Sequence, residues 1–290
     1  YSTTTAFTNT AVGLNSMYST TTGYTNVGIG PNVLYSNTTG YENVAIGQCA
    51  MYANTTGVEN TAIGCGALRS SQTANANTAV GRSALGANTS GTKNAAVGRN
   101  AMCANTTGNC NTAIGFQAMC TNTTGVNNTA LGTNALLANT GDDNVAVGLS
   151  ALETNTSASI NVAVGNNALK DTTTGQQNVA FGTSASESNT TGCRNVSIGY
   201  RAGYTATTPE GNTFVGYSAG CNAGTGNSNH AFGQSAGIDA VKNITGSDTH
   251  QLVLGNNSLT NAFMKVSFTV TSDLRDKTEI EDVPHALDFV

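Results

Sequence analysis

The chain has 290 residues, 9% of them charged and 6% aromatic, with no Trp, three Pro and a formal net charge of −5. So few basic residues leave no footprint for nucleic acid, and no apolar run approaches the ~20 residues of a membrane-spanning helix. Thr, Asn, Gly and Ala dominate, a composition that cannot build a thick core of large side chains and that points to no cofactor or metal.

The chain opens at Tyr1 in mid-repeat, so its natural start is expected upstream. The pattern Asn-(Thr/Val)-Ala-(Val/Ile)-Gly then begins at Asn9 and returns every 17 residues at Asn26, Asn43, Asn60, Asn77, Asn94, Asn111 and Asn128. After one 16-residue step it resumes at Asn144, Asn161, Asn178, Asn195, Asn212 and Asn229, with a blurred further copy at Leu252–Gly255. A period this short and regular predicts a solenoid, and its strict apolar phase argues against low-complexity disorder. The fold class is therefore all-β: a β-solenoid (β-roll or β-helix) of about fourteen 17-residue coils.

With the repeat Asn at position zero, position +3 is large and apolar throughout (Val12, Ile29, Ile46, Ile63 to Phe232) and is expected to point inward. Position +2, nearly always Ala, is expected on the opposite side of the same strand, against a closely packed neighbouring surface. Position +4 is Gly, a bend that a Cβ would obstruct. Ala at +7 and Leu or Met at +8 suggest a second short inward strand, followed by an Asn-Thr-Thr-Gly turn, as at Asn37–Gly40. Stacked coils place the repeat Asn residues in a ladder of side-chain amides (Asn43, Asn60, Asn77, Asn94, Asn111, Asn128), a structural rather than a ligand-binding role.

The outward column at +9 holds Tyr18, Tyr35 and Tyr52, then Arg69, and later Glu153, Lys170 and Glu187. The tyrosines are expected to stack, as are Tyr24 and Tyr41, and the charges to pair across coils. Tyr18, Tyr35 and Tyr52 are the candidate binding residues, as an aromatic platform for sugar; a plain stacking ladder is the alternative. From Ser186 onward position +8 turns small (Ser186, Gly203, Gly220, Gly237) while Phe181, Phe214 and Phe232 appear, an exchange of large for small across a narrow interior. The seven cysteines fall in scattered phases with no metal-type pair, which favours free thiols. Cys103 and Cys120 stack on adjacent coils, with a disulfide there as the alternative.

Residues 1–237 thus read as the repetitive shaft, 238–271 as a degenerate last coil and β-rich transition, and 272–290 as a different segment. Charge rises at Asp239, Lys242, Asp248 and Lys265, and Phe268-Thr-Val-Thr-Ser-Asp-Leu-Arg-Asp-Lys-Thr-Glu-Ile follows. Ser272, Asp273, Arg275 and Lys277, with Ala286-Leu287 beyond an acidic stretch, resemble the start of the endosialidase-type intramolecular chaperone domain that closes bacteriophage tailspikes and tail fibres. That family usually has Leu where this chain has Asp276; the Arg-Asp-Lys variant looks like fibre proteins of marine phages. The resemblance spans about 20 residues and implies a truncated start of that domain at 272–290. It implies self-cleavage at Thr271–Ser272, with Ser272 as nucleophile and Lys277 as candidate base; Ser272 as a helix N-cap is the alternative. The repeats are also similar to the head β-rolls of trimeric autotransporter adhesins.

A coil with so few apolar side chains has a thin core, and solenoid ends expose unpaired edges. Together with the resemblance, this leads to a parallel homotrimer packed around the Ala-rich face. The expected function is a structural and adhesive tail fibre of a virion, assembled in the host cytoplasm, with a host-surface glycan or protein receptor and other virion tail proteins as partners. A bacterial trimeric adhesin is a second reading. A polysaccharide-degrading tailspike needs paired carboxylates, and here the acidic residues are scattered apart from Asp142–Asp143. An ice-binding solenoid needs Thr alternating on a flat strand, and the Thr pairs here fall in turns.

Overall fold

A computed structural model describes residues 5–238 and 243–261. Ser272, Lys277, the Thr271–Ser272 bond and the 272–290 segment lie outside the described residues, as do Asp239, Lys242 and Lys265. The solenoid belongs to one compact unit, Tyr1–Asn257; the second unit, Ser258–Val290, falls almost wholly outside the description. No described helix is long and apolar enough to cross a membrane.

Fifteen three-residue strands, from β1 (Thr10–Val12) to β15 (Leu252–Leu254), form one parallel sheet in strict chain order. Equivalent positions pair from coil to coil, as in Val44↔Thr61, Ala45↔Ala62 and Ile46↔Ile63. The 16-residue coil keeps the register: Thr129 pairs Val145, and Asn144 N–H donates to Asn128 Oδ1 at 3.0 Å. Deleting one turn Thr at Asn139-Thr140-Gly141 therefore shortens a turn and leaves the strands in phase.

The strand faces are the reverse of the sequence expectation. The +2 residues Ala45, Ala62, Ala79, Ala96 and Ala113 are completely buried, whereas +3 residues stand on the outside, with Ile63 38%, Ile114 41% and Phe181 57% exposed. The reason is the narrowness of the coil. In the regular coils the interior is filled by Ala at +2 and +7 and Leu or Met at +8, leaving no room for a branched side chain on the inner strand face; Val253 takes that place only in the last, degenerate coil. Phe214 demonstrates the limit, because it is the one aromatic buried at +2 and the +8 positions beside it are Gly203 and Gly220. A Cβ on Gly203 would sit 2.9 Å from the Phe214 ring. The exchange of large for small is thus real at Phe214, but Phe181 and Phe232 point outward and take no part in it. With the Ala column enclosed in its own coil, association through an Ala-rich outer face is also overturned.

The second strand expected at +7 and +8 is absent; those residues form turns. Positions +6 and +8 are left-handed, as at Asn32 (φ 56°) and Leu34 (φ 49°), and so is the residue before each repeat Asn, as at Glu42 (φ 55°). A left-handed Leu or Met is costly for an L-residue. It persists because the side chain is fully buried and its N–H pairs with the next coil, as Leu34 N–H does with Ala50 O at 3.1 Å. The +4 glycines have a positive φ of another kind: Gly81 is at +131°, and a Cβ there would lie 2.6 Å from Gly98 O.

Two buried amide columns hold the stack together. The expected one is complete. Asn94 Nδ2 donates to Asn77 Oδ1 at 3.2 Å and to Gly108 O at 2.8 Å. Its Oδ1 accepts from the Asn111 N–H at 3.0 Å and Nδ2 at 3.2 Å. All four hydrogen-bonding positions of the amide are used, and Asn43, Asn60, Asn77, Asn111 and Asn128 repeat the scheme. The second column, at +11, is formed by the first Asn of the Asn-Thr-Thr-Gly turns. Asn105 Nδ2 donates to Asn88 Oδ1 at 2.8 Å, and Asn122 Nδ2 to Asn105 Oδ1 at 3.1 Å. The turn Thr hydroxyls add a third thread, with Thr106 Oγ1 donating to Thr123 O at 3.0 Å.

The second column is broken by Thr20, Ser71 and Thr172, whose hydroxyls are buried without a partner; Ser71 is too short to reach its neighbour and leaves Asn54 Oδ1 unpartnered as well. Restoring the amide with Ser71→Asn is expected to stabilise the chain by about 1 kcal/mol, since each net hydrogen bond is worth roughly that much. In contrast, Asn94→Ala strands the Asn111 N–H, leaves Gly108 O with the Asn105 Nδ2 bond alone and is expected to cost about 3 kcal/mol, while the exposed Thr107→Ala stays within about 0.5 kcal/mol of the parent. Thermal and urea unfolding midpoints of the three variants measure this order.

Candidate binding faces

Tyr18, Tyr35 and Tyr52 form the expected column. Their ring centroids are 5.2 and 5.1 Å apart and the rings lie within 10° of parallel. Tyr24 stacks on Tyr41 at 4.7 Å, and Phe7 extends that second column at 5.1 Å. Desolvation in the stack, with the neighbouring Tyr41 and Glu42, pushes the Tyr24 phenol above its ordinary value. A third column escaped the sequence reading: Tyr200 and Tyr217 stack at 5.2 Å, with Arg201 over the Tyr204 ring at 4.1 Å. Its signal was the recurrence of Tyr at position +5, 17 residues apart.

The charged column fares differently. Glu153, Lys170 and Glu187 make no ion pair among the described residues; the pair that forms joins Arg194 to Glu210. An exposed pair of this kind contributes little to stability in water whether or not it forms. Asp142 and Asp143 do not face one another as a catalytic pair. Asp142 Oδ1 accepts the Val126 N–H at 2.8 Å and Asp143 Oδ1 accepts from Asn127 Nδ2 at 3.1 Å, so both carboxylates stitch the shortened coil to its predecessor. Among the described residues no cluster of His, Cys, Asp and Glu has the makings of a metal site.

Two surface features remain. The first is the outer face of the sheet, where +3 carries Val, Ile, Leu or Phe on every strand and +1 carries mainly Thr or Val. Fifteen strands at ~4.8 Å make a ridge of roughly 70 Å, and about 10 Å of width gives some 700 Å². The second is a groove of about 570 Å³ over the coils of Asn60 and Asn77, bounded by Arg69 and Arg82. No Asp or Glu lines it. None of its lining residues comes from a strand, so groove and ridge occupy different faces.

The cysteines depart from expectation at one place: Cys103 and Cys120 are joined as a disulfide across adjacent coils, because their shared column brings the Cα atoms to 4.9 Å. Cys49, Cys65, Cys110, Cys193 and Cys221 are free. Burial pushes the Cys221 thiol up, partly offset by Arg201, so less thiolate is present at any pH below its pKa. Alkylation near neutral pH, followed by peptide mass spectrometry, is expected to label the exposed Cys65 faster than Cys221 and to leave Cys103 and Cys120 unmodified until reduction. No protein-family model, curated protein or solved structure matches the chain.

Proposed function

We propose that the chain is a structural and adhesive fibre module of a virion that projects toward a host surface and assembles as a parallel homotrimer through the outer ridge of its sheet. The observation that carries this reading is the ridge itself. Monomeric proteins rarely leave a long continuous row of apolar side chains uncovered, and the ridge as a whole, its +1 column partly Thr, has a footprint of ~700 Å² per chain, of the order of the ~800 Å² per partner of a standard interface. A second and third copy of the same chain fit it best: its two-column pattern repeats at the coil spacing along the whole rod, so identical ridges meet in register. Buried amide columns support a rod that must bear load, since every coil is tied to the next by side chains as well as backbone.

The tail segment supports the same reading through its likeness to phage fibre chaperone domains. Ser272 and Lys277 would carry self-cleavage at Thr271–Ser272, releasing the mature fibre. Receptor recognition falls to the exposed faces, and other tail proteins are the further partners. Among the rivals, the ice-binding solenoid gains one observation: Thr61, Thr78, Thr112 and Thr129 stand on the strands at +1, beside +3 aliphatics, rather than only in turns.

Sedimentation equilibrium at micromolar concentration tests the proposal, with a trimer expected. Ile63→Lys combined with Ile114→Lys is expected to yield a folded monomer, because both side chains already face outward. A monomeric parent chain overturns the assembly reading. Thermal hysteresis in a dilute sample would replace it with the ice-binding one.

A further inference from the structure

We infer that the groove between Arg69 and Arg82 is a binding site for an acidic sugar, one bearing a carboxylate or a sulfate. The inference deepens the adhesion reading and rests on it only for the biological source of the ligand.

The groove is made by leaving side chains out. At +9 the column runs Tyr52, Arg69, Gly86, Cys103, and at +6 it runs Cys49, Gly66, Ser83. Neither glycine is demanded by the backbone. Gly66 has a φ of +67°, but Cys49 and Ser83 adopt nearly the same conformation at 55° and 57°, and a Cβ on Gly66 would meet nothing closer than 3.9 Å. Gly86 has no positive φ, its nearest Cβ neighbour is Ser83 O at 3.2 Å, and Tyr52, Arg69, Cys103 and Leu137 hold side chains at the same place in their coils. Crowded glycines explain most of this rod; Gly66 does not belong to that class, and Gly86, though close to Ser83 O, stands where other coils carry side chains.

What remains around the gap is polar and uncommitted. Arg69, Arg82, Gln48, Ser70 and Ser83 line it, and none of the five makes a side-chain hydrogen bond or ion pair among the described residues. Two guanidiniums in the lining of one groove suit an oxyanion, which a guanidinium grips with paired N–H donors. The serine hydroxyls and the Gln48 amide suit sugar hydroxyls. The Tyr18–Tyr35–Tyr52 column leads straight into the groove: Ala53 N–H donates to Arg69 O at 2.9 Å, placing Tyr52 one coil before Arg69. Both faces of Tyr35 are taken by Tyr18 and Tyr52, so it is the Tyr52 face on the Arg69 side that suits the C–H surface of a following sugar. A nucleic acid is disfavoured, because it needs a longer cationic track than two arginines on a chain of net charge −5.

The test is titration of the full chain, by calorimetry and saturation-transfer NMR, with sialyllactose for the carboxylate, a sulfated galactose disaccharide for the sulfate, and neutral lactose. At least one acidic probe is expected to bind and lactose is not. The two acidic arms separate the sources of the anion. Arg69→Ala and Arg82→Ala are each expected to weaken binding about tenfold or more, the loss of one charge-assisted contact. Gly86→Leu is expected to plug the groove in a chain that still unfolds cooperatively, with a small shift in midpoint from the close Ser83 O, and Arg194→Ala to have no effect on binding. Equal binding of lactose, indifference to the arginine changes, or full binding by the plugged variant overturns the inference. So does equal competition by a short oligothymidine, which would mark a general polyanion surface. Acidic-sugar binding by a monomer leaves the groove standing and removes the trimeric fibre; a trimer blind to acidic sugars does the opposite.

Discussion

The buried asparagine amide is the group on which the rest of the rod depends. A primary amide carries two donors and two acceptor sites, and in Asn94 all four are matched along the stack. A buried amide with an unmatched position carries a desolvation penalty, so the column tolerates neither a slip in register nor a change in coil spacing. This one requirement makes the strands parallel, in register and sequential. It also accounts for the behaviour of the shortened coil, which loses a turn residue but keeps its Asn in line.

A coil that devotes two inward columns to asparagine has little interior left. Alanine and one Leu or Met per turn fill it, and the branched residues of the strand are displaced to the outside. The same economy leaves on the flank the apolar surface that a thicker protein would bury within itself. Left-handed Leu and Met residues are a further consequence. Turning the chain within 17 residues takes them into an unfavourable conformation, and the buried side chain and inter-coil hydrogen bond offset the cost. Where the core residue at +8 is glycine, that cost vanishes, and the lost volume is supplied by Phe214 beside Gly203 and Gly220 and by Ile244 beside Gly237.

Uniformity makes the exceptions informative. In a rod where glycine marks crowding, Gly66 and Gly86 sit where neighbours carry side chains, and arginines flank the gap. The aromatic columns on the outside stack because the coil spacing is close to the thickness of a ring pair, and they therefore need no ligand to explain them. Their bearing on recognition comes from where Tyr18, Tyr35 and Tyr52 lead.

The 17-residue period, the solenoid, the asparagine ladder, the glycine bends and the stacked tyrosines were all legible in the sequence, because each depends only on equivalent residues lying one above another. Repetition alone carries that information. Which strand face points inward was not legible. A period-2 strand declares two faces, and the usual presumption that the larger residues are inside fails when the enclosed space is one alanine wide. The second amide column was hidden for a related reason, since Asn before Thr-Thr-Gly has the look of a turn residue until the coil closes and buries it. Likewise the groove at Arg69 and Arg82 exists only where residues 13 positions apart, in adjacent coils, come to border the same gap. Stacking is written in the repeat; the direction of each side chain and the room it finds are decided by the closing of the coil.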